Sequence, residues 1–68
     1  MTVASQVKQT LSGLKSAQAS LETFALQTEN QQAKQLFKDA AKQTQTIVDT
    51  VNSRLQQIEQ EEPQYQQQ

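Results

Sequence analysis

Apolar residues recur at helical spacing between residues 33 and 58. The central row repeats every seven residues and comprises Phe37, Thr44, Val51 and Ile58. Two flanking rows widen the stripe, Ala33, Ala40 and Ile47 on one side and Ala41, Val48 and Leu55 on the other. A stripe of this width is typical of a helix in a bundle and not of a narrow coiled-coil seam. The pattern predicts a long amphipathic helix over about residues 31–61, which other elements must cover.

The N-terminal part of the chain carries a second helical pattern, with steps of three and four residues. Its apolar positions are Val3, Val7, Leu11, Leu14, Ala17, Leu21, Phe24 and Ala25. This spacing predicts a first helix over about residues 2–27, with Thr2 as its N-cap. Both phenylalanines, Phe24 and Phe37, lie close to the expected turn between the helices, where we expect them to form the densest part of the core.

The helical pattern slips at residues 28–30, which predicts the turn. Asn30 is the expected N-cap of the second helix, although Thr28 with Gln31 also fits a capping box. A connection this short makes the helices antiparallel neighbours. The predicted fold is all-α, an antiparallel two-helix hairpin over residues 1–62 followed by a flexible glutamine-rich tail over 63–68. In the middle of the second helix, the Thr44 hydroxyl is expected to donate to the Ala40 carbonyl.

The two stripes together are wider than one antiparallel partner can bury. A two-fold dimer that forms a four-helix bundle would cover the remaining rows, and a larger assembly or a helical partner protein would also do so. We therefore expect a homo-oligomer, with the dimer favoured. The predicted self-association interface comprises Val7, Leu14, Ala17, Leu21, Phe24, Phe37, Ala40, Ile47, Val48, Val51, Leu55 and Ile58.

Composition supports the need for a partner. The chain has 68 residues, only 34% of them hydrophobic, with no cysteine and no histidine. Without disulfides or metal sites of the usual kind, a domain of this size has close to zero net stability alone. Because the net charge is −1, we expect that the protein does not bind nucleic acid. Because the sequence has no long apolar run, we expect that the chain does not insert into a membrane and that the protein is cytoplasmic.

Paired carboxylates are the only candidates for catalysis or metal binding. Because no histidine accompanies them and most lie off the apolar stripe, we interpret them as solvated surface acids. They are Glu22, Glu29, Asp39, Asp49 and Glu59. The sequence predicts no catalytic residues, no cofactor and no metal, and we expect the protein not to be an enzyme.

Each of three further features has two possible interpretations. Gly13, Ala17 and Ser20 are either a flat strip for close helix approach or an ordinary stretch with a tolerated glycine. The stripe of Lys34, Lys38 and Lys42 is either a ridge for an acidic partner or anionic lipid, or a solvated helix face. Tyr65 in the tail is either a docking anchor or an exposed ring.

Four segments carry a resemblance to a known family. They are VKQTL at residues 7–11, LKSAQASLE at 14–22, AKQLF at 33–37 and EEPQY at 61–65. Their order and total length resemble the small proteins grouped as domain of unknown function sixteen fifty-seven. The resemblance implies a protein of endospore-forming bacteria, encoded near genes for spore membrane proteins of the SpoVA channel type. It implies a location in the forespore or spore interior and a spore membrane protein as a candidate partner, but no activity and no site residues.

Two functional hypotheses follow from the sequence. The first is a non-enzymatic structural or accessory factor of spores that self-associates into a four-helix bundle. The second is an adaptor that folds on a helical or membrane-protein partner.

Overall fold

A computed structural model describes residues 3–61 of the chain, which form two helices and no strand. Helix α1 spans Val3–Gln27 and helix α2 spans Gln31–Glu61. The two pack side by side and antiparallel over most of their length. The prediction of an all-α chain with two helices is thus confirmed. The predicted N-cap Thr2, the tail over residues 63–68 and Tyr65 lie outside the described residues.

The turn is held by hydrogen bonds from its own side chains. The Oδ1 of Asn30 accepts the backbone N–H of Ala33 at 2.8 Å, so Asn30 is the N-cap of α2, as predicted. The Thr28 hydroxyl accepts the N–H of Asn30 at 3.3 Å, two residues away, and does not reach into α2 as a capping box would require. The last turn of α1 is closed by the Thr28 N–H, which donates to the Phe24 carbonyl at 3.0 Å. These bonds satisfy backbone groups that each helix end would otherwise leave unpaired.

The core lies between the two helices in the half of the hairpin away from the turn. Its buried members are Ala4, Leu11, Val48 and Leu55. Val7, Leu14, Val51 and Ile58 are partly buried and pack against this cluster.

The packing near the turn corrects one expectation. Phe24 and Phe37 contact each other in a T-shaped arrangement, with ring centroids 5.5 Å apart. Phe24 is nevertheless 46% exposed, so the prediction that the two rings form the densest part of the core is wrong. The buried residues at this end are Ala25 and Ala41, whose small side chains occupy the seam between the helices and leave the rings beside it.

Several threonine hydroxyls donate hydrogen bonds to backbone carbonyls of their own helix. The Thr44 hydroxyl donates to the Ala40 carbonyl at 2.8 Å, which confirms the predicted bond at the one polar position of the central row. Thr10 and Thr23 make the same contact with the carbonyl four residues earlier. The Thr44 hydroxyl therefore has a hydrogen-bond partner although it lies on the apolar stripe.

The hairpin is a single layer of helices. Its Cα atoms span 49 × 17 × 11 Å, and the radius of gyration is 15.3 Å. A compact domain of this length would have a radius of gyration of about 11 Å. Domains usually consist of at least two packed layers around one core. The described residues provide only one, so the broad faces of the hairpin are open.

We expect replacement of Leu55 by Ala to unfold the hairpin or to lower its free energy of unfolding by about 2–5 kcal/mol, because Leu55 is 5% exposed in the core. Gln56→Ala is the control: Gln56 follows Leu55 directly and is exposed, and its truncation should change stability by less than about 0.5 kcal/mol. Urea denaturation followed by circular dichroism measures both. Equal effects of the two variants would show that the core is placed incorrectly.

Replacement of Asn30 by Ala should lower the free energy of unfolding by about 1 kcal/mol, because the N–H of Ala33 loses its acceptor. Asn30→Gly should cost only a few tenths of a kcal/mol, roughly the usual difference between these residues at an N-cap. Thermal denaturation of the two variants tests this order. A harmless Asn30→Ala would contradict the capping role.

Candidate interaction surface

The partly buried residues of α1 all lie to one side of its buried row. An α-helix turns by about 100° per residue, since it has about 3.6 residues per turn. Val7, Leu14 and Leu21 are therefore offset by roughly 40 to 80° from Leu11, all in the same direction. Each of the three is half-buried in the hairpin. The apolar stripe of α1 is wider than the strip that α2 covers.

The same asymmetry is present on α2. Relative to Val48, the side chains of Val51, Ile58 and Ile47 are offset by roughly 60 to 100° in one direction. Val51 and Ile58 are half-buried, and Ile47 is 49% exposed. Only the row of Ala41, Val48 and Leu55 is fully covered by α1.

The two surplus stripes lie on the same side of the hairpin. Viewed from one end, α1 runs away from the viewer and α2 runs towards the viewer, so offsets in the same rotational sense along the two chains fall on one side. The contact between Phe24 and Phe37 joins the helices on this side. We call this surface the apolar face; it comprises Val3, Val7, Leu14, Ala17, Leu21 and Phe24 on α1, and Ala33, Leu36, Phe37, Ala40, Ile47, Val51 and Ile58 on α2.

Four large side chains of the apolar face are about half exposed or more. They are Val3 at 52%, Phe24 at 46%, Leu36 at 62% and Ile47 at 49%. They are spread along the hairpin from its open end to the turn and form one extended surface together with the half-buried residues between them. Extended apolar surfaces of this kind are typical of interaction sites.

The predicted interface residues are divided between two environments. Val48 and Leu55 lie in the core of the hairpin itself. The other ten lie on the apolar face, Ala17, Phe24 and Ile47 as exposed residues and the rest half-buried. Val3, Ala33 and Leu36 belong to the same surface but were not among the predicted residues. Leu36 precedes Phe37 directly and lies one turn before Ala40, a spacing that could have revealed it.

The strip formed by Gly13, Ala17 and Ser20 is open. All three residues are exposed, and a Cβ added at Gly13 would meet no atom within 4 Å. No part of the described chain therefore makes use of the missing side chain, and the helical backbone at Gly13 has no positive φ.

The opposite face of the hairpin is more polar and carries the lysines. The five lysines within residues 3–61 are all offset away from the apolar face; they are Lys8, Lys15, Lys34, Lys38 and Lys42. Lys8 forms an ion pair with Glu59 across the helices at 3.3 Å, and Gln18 donates to the side chain of Gln45 at 2.8 Å. These contacts tie the helices together on the side that is not apolar.

Residues 3–61 provide neither a cluster of metal ligands nor a membrane-spanning helix. No group of three or more histidine, cysteine or acidic residues is arranged to hold a metal ion. Neither helix has an apolar stretch of the length and hydropathy needed to cross a membrane.

Comparison with known protein families identifies a family model that covers most of the chain. A family model described as "Protein of unknown function (DUF1657)" matches residues 7–55. The matched region includes the turn, most of both helices and three of the four buried core residues. No curated protein and no solved structure matches the chain.

We expect Gly13→Ala to raise the free energy of unfolding by up to about 1 kcal/mol, because Gly13 lies in a helix with open space around it. Urea denaturation measures the change. A lower stability, or a smaller mass by light scattering, would instead show that another helix approaches Gly13 closely.

Proposed function

The chain belongs to the family described as protein of unknown function (DUF1657), and we propose that it acts as a non-enzymatic structural or accessory factor that self-associates through its apolar face. The observation that carries this proposal is the single-layer hairpin with one continuous apolar surface. Apolar surface left in water is unfavourable at about 25 cal/mol per Å².

The size of the face is appropriate for a second copy of the chain. A surface of 49 × 17 Å corresponds to an area on the order of 800 Å², which is what each partner contributes to a standard stable interface. A two-fold axis would place the apolar faces of two hairpins against each other and supply the missing second layer. The product is a four-helix bundle, with Phe24 and Ile47 moved from the surface into its interior.

The low stability expected for a single hairpin also supports the four-helix bundle. A hairpin whose buried core contains only Ala4, Leu11, Val48 and Leu55 buries little apolar surface for its length. Domains of this size without disulfides or metals usually depend on a partner. We therefore propose that folding and dimerisation of this chain are coupled.

We propose an interaction role and not catalysis because the distinctive feature of the chain is its apolar face. The carboxylates considered above are spread over the helices and the turn, and the one that lies closest to a cation, Glu59, pairs with Lys8 across the hairpin. This ion pair stabilises the hairpin, and the five carboxylates do not converge on a common point where they could act as a reactive site.

We propose that the protein has this role in endospore-forming bacteria, as the family resemblance implies. The proposed setting is the forespore or spore interior, and the proposed heterologous partner is a spore membrane protein. A bundle of two hairpins would serve there as a structural or accessory component.

The second candidate is an adaptor that folds on a helical segment of such a partner. The apolar face favours it as well, since one amphipathic helix laid along the face would cover Phe24 and Ile47. Circular dichroism distinguishes the two candidates: a self-associating chain is helical alone, whereas an adaptor gains helix when its partner is added.

Replacement of Ile47 by Lys should abolish self-association, because it places a charge in the middle of the apolar face where Ile47 is 49% exposed. Thr46→Lys is the matched control, since Thr46 is exposed on the other side of α2. Light scattering after gel filtration should give twice the chain mass for the wild type and for Thr46→Lys. For Ile47→Lys it should give a monomer with lower helicity.

A folded monomeric wild type at micromolar concentration would refute self-association. A dimer that persists in Ile47→Lys would show that copies associate through a different surface.

A further inference from the structure

A groove lies between the helices on the face opposite the apolar face. It has a volume of about 530 Å³ and lies in the half of the hairpin next to the turn. Its lining residues are Gln18, Glu22, Ala25 and Leu26 from α1 and Lys38, Ala41, Lys42 and Gln45 from α2. We call it the turn-side groove.

The floor of the groove is apolar. Ala25 and Ala41 are 4% and 5% exposed, and their small side chains leave a depression between the helices. Leu26 stands beside this floor and is 82% exposed, the most exposed of the large apolar residues in the described part of the chain. A flat apolar ring laid on the floor would also cover Leu26.

The rims of the groove carry opposite charges. Lys38 and Lys42 lie one turn apart on the α2 rim, and Glu22 lies on the α1 rim. No ion pair within residues 3–61 engages either lysine. The hydrogen bond between Gln18 and Gln45 crosses the groove at the end away from the turn. A matching ligand has a carboxylate for the lysines, an aromatic ring for the floor and a hydroxyl donor for Glu22.

We propose that the turn-side groove binds residues 62–65 of a second copy of the chain. This segment contains Glu62, Pro63 and Tyr65 and lies outside the described residues. Its carboxylate pairs with Lys38 and Lys42, the tyrosine ring covers the apolar floor, and the phenol O–H donates to Glu22. Pro63 restricts the backbone of the segment, which lowers the entropy lost on binding.

The length of α2 requires the segment to come from another copy. Lys42 precedes Glu61 by nineteen residues, which corresponds to about 28 Å along the helix. Tyr65 follows Glu61 by four residues and reaches at most about 14 Å further. A chain therefore cannot place Tyr65 in its own groove, whereas two copies related by a two-fold axis can exchange segments in a closed pair.

The chain contains a natural probe for this contact. Tyr65 is its only tyrosine, and it has no tryptophan. Quenching of the intrinsic fluorescence by acrylamide therefore reports the accessibility of Tyr65 in the unmodified full-length protein. We expect quenching to decrease as protein concentration rises and to increase again at high salt, which screens the ion pairs.

Lys38→Gln combined with Lys42→Gln should raise the concentration needed for Tyr65 protection roughly tenfold, the scale of losing two exposed ion pairs. Lys15→Gln combined with Lys34→Gln is the control, because it removes the same charge outside the groove. Leu26→Ala should also reduce protection, and light scattering should give each variant the mass of the wild type. This exchange rests on the proposed dimer, whose mass is measured separately, so loss of Tyr65 protection at an unchanged mass is distinguishable from loss of the dimer.

Three results would overturn the proposal. The first is a Tyr65 that is quenched equally at all protein concentrations. The second is equal protection in the Lys38/Lys42 double variant and its control. The third is protection that survives Leu26→Ala but disappears in Leu36→Ala, which would place the ring on the apolar face.

Discussion

Two antiparallel helices can bury only one strip of each other's surface, and this geometric constraint governs the whole structure. The strip used here consists of small and medium side chains, with Leu11 and Leu55 as its largest members. The stripes encoded on both helices are wider than the strip, and the antiparallel arrangement places both surpluses on one side. The hairpin therefore has one side that resembles half of a protein core and one side that is polar.

The division between the two sides supports the proposed interaction role. The apolar face extends along nearly the whole length of the hairpin, from Val3 at the open end to Leu36 near the turn. The polar side carries the lysines and the cross-helix contacts of Lys8 with Glu59 and of Gln18 with Gln45. A chain built in this way presents surfaces to other molecules, and both the proposed bundle and the proposed exchange of C-terminal segments use those surfaces.

The sequence was sufficient for local structure and insufficient for the rotation of each helix about its axis. Local chemistry predicted the Asn30 cap and the Thr44 bond to Ala40, because each depends on residues within one turn. Periodicity located the stripe but could not tell which of its rows faces the partner helix. For that reason Val48 and Ile47, neighbours in the chain and both predicted at the interface, end up 4% and 49% exposed. Leu26 gave no signal at all, since it lies off every periodic row.

The central claim is that folding of the hairpin depends on covering the apolar face with a second copy. The most direct test is the thermal unfolding midpoint, followed by circular dichroism over a wide range of protein concentration. If folding and association are coupled, the midpoint rises steadily with concentration, because mass action stabilises the associated state. A midpoint that does not change with concentration, in a protein that light scattering shows to be a monomer, would contradict the account.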